Sequence, residues 1–271
     1  MAVKISVLMG IYNCAATLPE AIDCILAQTE SSWELILCDD GSADDTYAVA
    51  QSYAEKYADQ IILLKNDKNM GLNFTLNRCL AAAKGEFVAR MDGDDLCSPD
   101  RFQKELVALA EHPDVALVST AMTYFDETGT WGQSHPKPFP QKADFLCGTP
   151  FCHAPCMARR EAFQAVGGYT DDPKFLRVED FDLWIKLYAA GYKGMNLDEP
   201  LYQMRDDRNA FARRKLKYRV NEARVICKAV RLLKLPVWCY LRAAKPIAVG
   251  LLPPGLYKAL HKGRLSHTKE N

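Results

Sequence analysis

Through the first half of the chain, short apolar runs alternate with amphipathic stretches. The runs at Lys4 to Gly10, Glu34 to Cys38, Ile61 to Leu64 and Glu86 to Met91 read as four strands. Between the first two, Leu18, Ala21, Ile22, Ile25 and Leu26 recur at helical spacing, and Thr17-x-x-Glu20 before them reads as a capping box. Further helices are predicted from about Asp45 to Ala58 and from Leu72 to Ala83, the latter stopping at Gly85. Ser98-Pro99 reads as the cap of the next helix. Strand and helix alternating in this way predict βαβ units and a mostly parallel sheet.

From Val115 to Met157 the pattern predicts shorter strands and loops rich in Pro and aromatics, a place for an acceptor-binding subregion. A helix from about Glu179 to Ala190, bounded by Gly191, then precedes strand-like Lys193 to Leu197 and Leu201 to Arg205. Beyond that the chain turns basic and helical. We therefore divide it into an α/β unit at 1–207, in two parts at about 1–119 and about 120–207, and a basic amphipathic tail at 208–271.

Composition changes this picture in one respect. The 271 residues carry no formal net charge, yet residues 1–207 hold 18 basic and 32 acidic side chains, whereas Arg208 to Leu265 hold 15 basic residues against Glu222 alone. An acidic body suits a metal-using cleft, and a basic tail suits an anionic partner. The ten cysteines form no C-x-x-C pair, and nothing at the N-terminus reads as a signal peptide, so reduced thiols and a cytoplasmic location are expected. Cys147, Cys152, His153 and Cys156 cluster in sequence, but their spacing fits no common zinc site and suits buried small side chains better.

The candidate chemistry lies in two acidic stretches. Asp39-Asp40-Gly41-Ser42 follows the second predicted strand and Asp92-Gly93-Asp94-Asp95 the fourth. In an open α/β sheet, ligands bind outside the carboxyl ends of the strands, so the two loops can meet on one ligand. Crowded carboxylates repel unless a cation or hydrogen-bond donors compensate them. Mg²⁺ or Mn²⁺ holding phosphate oxygens is the economical compensation, because these ions take one or two carboxylates and leave the remaining positions to phosphate and water. Taken alone, Asp-Asp-Gly-Ser is equally an ordinary turn with a helix cap. The second stretch lacks the later positions of an EF-hand, and neither a dinucleotide-binding Gly-rich turn nor a P-loop is present.

Five segments occur in an order that resembles the family 2 glycosyltransferases: Val7-Leu8-Met9-Gly10-Ile11-Tyr12-Asn13, Asp39-Asp40-Gly41-Ser42-Ala43-Asp44-Asp45-Thr46, Asn69-Met70-Gly71-Leu72, Ala89-Arg90-Met91-Asp92-Gly93-Asp94-Asp95 and Glu179-Asp180-Phe181-Asp182-Leu183-Trp184. The match spans about residues 3 to 205 and is strongest to bacterial exopolysaccharide and capsule enzymes of biofilm-matrix clusters. The resemblance implies a GT-A fold, a Rossmann-like mixed sheet flanked by helices. It also implies transfer of a sugar from a nucleotide diphosphate, UDP above all, to a hydroxyl of a glycan or lipid-linked acceptor, with inversion. Gly10 and Tyr12 would lie beside the nucleotide, Asp40 would accept from the uracil ring amide with Asp39 next to it, Asp92 would lie near the ribose, and Asp94 would bind the metal. Asp180 matches the catalytic base, with Glu179 beside it. Asp95 is open between a site role and a helix-entry cap.

Three further readings remain open on residues alone. His153 is either an acceptor-side polar group or a structural histidine; Trp184 either stacks on a sugar or belongs to the core; and Arg205 either neutralises diphosphate or forms a structural ion pair. The rival chemistry is a phosphotransferase with Asp92 as nucleophile, and the rival to catalysis is a scaffold acting through the tail. Processive synthases that resemble this chain carry Q-x-x-R-W, whereas here the sequence is Gln203-Met204-Arg205-Asp206, so one sugar per encounter is expected.

In the tail, Arg213, Lys217, Arg224, Lys228 and Arg231 fall on one helical stripe, with Leu216, Val220, Ala223, Cys227 and Val230 beside it. The apolar stretch Leu235 to Tyr257 is interrupted by Arg242, Lys245 and Pro246 and is too broken to span a bilayer. Peripheral attachment to the anionic inner face of the cell membrane is expected. Packing on the catalytic unit, or an acidic protein partner, is the alternative. No nucleic-acid partner is expected.

Overall fold

The computed structural model describes residues 3–206 and 216–251. In chain order the regular elements are β1 (Ile5–Ile11), α1 (Leu18–Leu26), β2 (Trp33–Asp39), α2 (Thr46–Lys56), β3 (Ile61–Lys65), α3 (Leu72–Ala82), β4 (Phe87–Arg90), β5 (Leu96–Cys97), α4 (Arg101–Glu111), β6 (Val115–Asp126), β7 (Gly129–Gln133), β8 (Met157–Arg159), α5 (Arg160–Ala165), α6 (Glu179–Ala189), β9 (Lys193–Arg205), α7 (Leu216–Leu232) and α8 (Ala244–Gly250). A 3₁₀ segment, Val237–Ala243, joins the last two helices.

The sheet runs β3-β2-β1-β4-β8-β6-β9-β5, with β7 paired to β6. The first four strands are parallel, and β6 and β9 are parallel to each other. Between β4 and β6 lies the short β8, antiparallel to both. Both faces of the sheet are buried, which explains the near-continuous apolar runs of β1 and β2. Leu8, Ile36 and Cys38 point to a core shared with α3, α6 and α7, while Val7, Met9, Leu35 and Leu37 point to the opposite core with α1 and α4. That is the period-two alternation of strands.

Four local expectations need correction. Thr17 precedes α1, but its side chain accepts no cap hydrogen bond; its hydroxyl donates instead to the Cys14 and Gly93 carbonyls, and Glu20 pairs with Arg205 rather than closing a capping box. The helix expected at Ser98-Pro99 begins at Arg101 after Asp100, because Leu96–Cys97 first forms a strand with β9. The two strands expected at 193–205 are one, β9, whose pairing skips Asp198 and Glu199: Leu197 stands opposite Thr120 and Pro200 opposite Ala121. Finally, β6 is twelve residues long where shorter strands were expected, since it must pair with β7, β8 and β9 in turn.

Candidate active site

The carboxyl ends of β1, β2 and β4 open into a cleft of about 1320 Å³. Its lining includes Gly10, Tyr12, Arg90, Asp92, Asp94, His153, Glu179, Asp180 and Arg205. The cleft therefore gathers residues from β1, from the loop after β4, from the start of α6 and from the end of β9. A second cavity of about 550 Å³ shares Asp92, Asp94, Asp180 and Arg205 and is walled on its far side by Tyr218, Arg219 and Glu222 of α7.

The loop after β4 is held open for chemistry. Asp92 is locked by Arg90, whose guanidinium donates to both carboxylate oxygens, at 2.5 and 3.0 Å. Arg90 itself is buried. Arg90 and Asp92 are two residues apart at a strand end and so face the same way. A Cβ at Gly93 would meet Cys14 Sγ at 3.0 Å and Ile11 Cγ2 at 3.1 Å, which explains the glycine between the two aspartates. Burial first, and then the neighbouring Asp92, pushes the Asp94 carboxyl above the usual carboxylate range. The Asp94 carboxyl accepts from its own backbone amide, which offsets only part of that shift.

Asp95 is not a helix cap. It accepts from the Tyr202 hydroxyl at 2.9 Å and the Arg205 amide at 2.7 Å, and the Asp92 amide donates to the same Tyr202 oxygen at 3.1 Å. Burial, then Asp92 and Asp94, pushes the Asp95 carboxyl up to about 8. The second half of β9 thus ties down the loop. Arg205 donates from Nε to the Asp94 carbonyl and from Nη2 to Glu20, so it is an ion-pairing residue at the rim of the cleft.

The loop after β2 is organised differently. Asp40 accepts from Asn66 Nδ2, the Met70 amide and the Gly71 amide at 2.7, 2.7 and 2.9 Å. Three donors thus engage the Asp40 carboxylate, and neither Asp39 nor Asp40 lines the cleft. Asp39 Oδ2 accepts from the Ser42 amide, while its buried Oδ1 has no partner among the described residues. Gly41 at φ +70° is needed because a Cβ there would stand 2.6 Å from the Lys68 carbonyl carbon.

Across the cleft, Asp180 lies in the first turn of α6. Burial, then Glu179, pushes its carboxyl up to about 6, against donation from the Phe181 amide and the Thr149 hydroxyl. Glu179 Oε2 is buried without a partner among the described residues. The His153 Nε2 lies 2.8 Å from the Tyr169 hydroxyl, and burial, with Arg90 nearby, keeps the ring neutral. Trp184 is fully buried, packed edge-on against Phe151 and His153, so the sugar-stacking reading gives way to core. No cluster of three or more His, Cys, Asp or Glu arranged for a metal occurs among the described residues, and Cys147, Cys152, His153 and Cys156 form none.

Arg90 and Tyr202 are the functional neighbours that the sequence reading did not single out. The signal for Arg90 was its two-residue offset from Asp92. Tyr202 carried none, because its link to Asp95 crosses 107 positions.

An open α/β sheet whose strand ends hold paired acidic loops, with a buried carboxylate opposite, fits a glycosyl-transferring enzyme. The model of Glycosyl transferase family 2 matches residues 6–167, and that of Glycosyl transferase family group 2 matches residues 87–257. A protein of Bacillus subtilis (strain 168) named glycosyltransferase EpsE is 42% identical over 267 residues, covering 98% of this chain and 96% of its own. The chain belongs to glycosyltransferase family 2 and is a glycosyltransferase.

Two solved structures share the GT-A fold. S. aureus TarS 1-349 in complex with UDP aligns with a TM-score of 0.67 at 17% identity, over 92% of this chain and 70% of that one. Mannosyltransferase PcManGT from Pyrobaculum calidifontis, in complex with GDP-Man and Mn²⁺, aligns with a TM-score of 0.66 at 22% identity, over 96% and 79%.

Proposed function

We propose that the chain transfers one sugar per encounter, with inversion, from a UDP-sugar to a hydroxyl of a glycan or lipid-linked acceptor in exopolysaccharide or capsule synthesis. The observation that carries this reading is the opposition of Asp180, buried and shifted to about 6, to the Asp92–Asp94 loop across one cleft. A carboxylate with that shift is ionised at neutral pH, yet is a stronger base than an exposed one. Asp180 takes the acceptor proton as the hydroxyl attacks the anomeric carbon, while the bond to the leaving diphosphate breaks on the opposite side.

A divalent cation, Mn²⁺ or Mg²⁺, fits the donor set: Asp94 offers to the cleft a carboxylate whose charge is disfavoured by burial and by Asp92. Asp94 would hold it, and the ion would neutralise charge on the leaving diphosphate. Gly10 and Tyr12 flank the nucleotide end of the cleft. Asp40 holds the loop. Arg90 holds Asp92 in place at the cleft, which also weighs against the phosphotransferase reading, since both oxygens of that would-be nucleophile are engaged. We place the enzyme on the inner face of the membrane, attached through its basic tail.

A thermal-shift panel of nucleotide sugars with and without Mn²⁺ tests the donor reading. A ligand at 100 times its dissociation constant stabilises the native state by about 2.7 kcal/mol. A UDP-sugar should raise the melting temperature only with the ion present, and the product anomer reports inversion. An equal response to every nucleotide, with or without metal, would overturn it.

A further inference from the structure

Packing uses up much of the tail's first helix. Ala223, Val225, Ile226 and Ala229 of α7 enter the core shared with α6, and Lys228 forms a buried ion pair with Asp182 of α6. The stripe of cations read from the sequence is therefore divided, with Lys228 turned inward. Arg213 of that stripe, and residues 252–257 of the apolar stretch, lie outside the described residues.

What remains unpartnered is the turn that follows. Val237, Trp238, Leu241 and Leu251 are 81, 64, 77 and 68% exposed, while Cys239, Ala243 and Pro246 of the same stretch are buried toward α7. Side chains this exposed project from the surface and line no groove. Lys234, Arg242 and Lys245 stand exposed among them, and no acidic residue occurs between Ala223 and Leu251. A projecting tryptophan with aliphatic neighbours, interleaved with cations and free of acids, is complementary to a fluid interface of apolar chains beneath anionic headgroups.

We propose that the Val237–Leu251 turn is the membrane-docking surface, with Val237, Trp238 and Leu241 entering the acyl boundary of an anionic bilayer and Lys234, Arg242 and Lys245 meeting its phosphates. This deepens the peripheral location proposed above and rests on it, but assigns the contact to this turn and not to the stripe on α7.

Trp238 is the natural probe, because Trp33 and Trp184 are buried and Trp131 is half-buried. The full chain is mixed with phosphatidylglycerol–phosphatidylcholine vesicles, with pure phosphatidylcholine vesicles as control, and tryptophan emission, iodide quenching and co-sedimentation are read together. Binding to the anionic vesicles should blue-shift the emission and shield it from iodide, and Trp238→Phe should remove both changes while leaving sedimentation largely intact. Reversing Lys234, Arg242 and Lys245 to Glu should weaken partitioning by at least about 100-fold at low salt, from about 1 kcal/mol per cation. Leu241→Asp should abolish the salt-resistant fraction. Both sets are exposed, and turnover on a soluble acceptor should not change.

If the chain sediments with vesicles but neither the Trp238 signal nor these substitutions matter, the docking surface is elsewhere and only the wider membrane reading survives. If the chain ignores anionic vesicles even at low salt, both fail. Two other results overturn the proposal. One is a concentration-dependent dimer that Leu241→Asp dissolves, which assigns the turn to a second copy. The other is a rise in iodide quenching of Trp238 when residues 252–271 are removed, which assigns it to that segment.

Discussion

The two acidic loops have nearly the same composition and opposite fates. After β2, Asp40 spends its carboxylate on two backbone amides and an amide side chain, so its charge is satisfied within the protein. After β4, Asp92 depends on a single buried arginine, and Asp94 and Asp95 are pushed toward the protonated form. Backbone donors make the first loop a piece of architecture. Their scarcity in the second leaves negative charge that a ligand must offset, which is what a binding loop requires.

The comparison can be broken most decisively at Asp94. Asp94→Asn is expected to nearly abolish transfer and metal-dependent nucleotide binding while leaving the melting temperature of the free enzyme unchanged or raised, because a disfavoured charge is removed. Turnover and a calorimetric scan check both halves; unchanged metal-dependent affinity removes Asp94 from the site. Opposite it, Asp180→Asn should lower turnover by about two to four orders of magnitude with nucleotide affinity intact. Near-normal turnover on a defined acceptor would mean that another group takes the proton.

The pH profile sharpens the same point. Because Asp180 must be ionised to act, turnover should rise with pH through about 6 and then level off, falling tenfold for each unit below. The linked effect on folding has the opposite sign. A carboxyl whose folded-state value is raised from 3.8 to about 6 favours the folded state fully below about pH 4, and that contribution is lost as pH rises through 6. Asp180→Asn should therefore reduce the decline in stability of the free enzyme between pH 4 and 6, read as melting temperature against pH.

Smaller effects are expected where a carboxylate or a ring is structural. Asp40→Asn turns an amide toward three donors, and should destabilise the fold by about 1–3 kcal/mol with measurable activity remaining. If activity vanishes with stability unchanged, Asp40 is a ligand-binding residue after all. Trp184→Phe should cost about 1–2 kcal/mol of stability and leave the Michaelis constants for donor and acceptor unchanged. A selective rise in the acceptor constant would restore the sugar-stacking reading.

Legibility followed the range of the interactions. The parallel strands β1 to β4 and the helices between them were readable to within a residue or two at most ends, since each is specified by a local apolar run or a helical period. The short strands β5 and β8 were not: two or three residues carry no period, and they exist because β9, β4 and β6 offer them edges. Helix starts misled where a side chain found a more distant partner. Thr17 and Glu20 have the local pattern of a cap, but Gly93 and Arg205 claim them.

The sequence by itself determined the α/β class, the order of the acidic loops along the sheet, the candidacy of Gly10, Tyr12, Asp92, Asp94 and Asp180, which all line the cleft, and the break in charge after Asp207. Covalent spacing and side-chain polarity are enough for each of these. Only the tertiary structure decided which aspartates keep their charge for a ligand and which spend it on the protein, that Trp184 is core, that Lys228 turns inward to Asp182 and that the exposed apolar face of the tail lies at Val237–Leu251. The physical reason is common to all four. Solvation and partnership depend on what chain folding brings within a few ångströms, from residues tens to more than a hundred positions away.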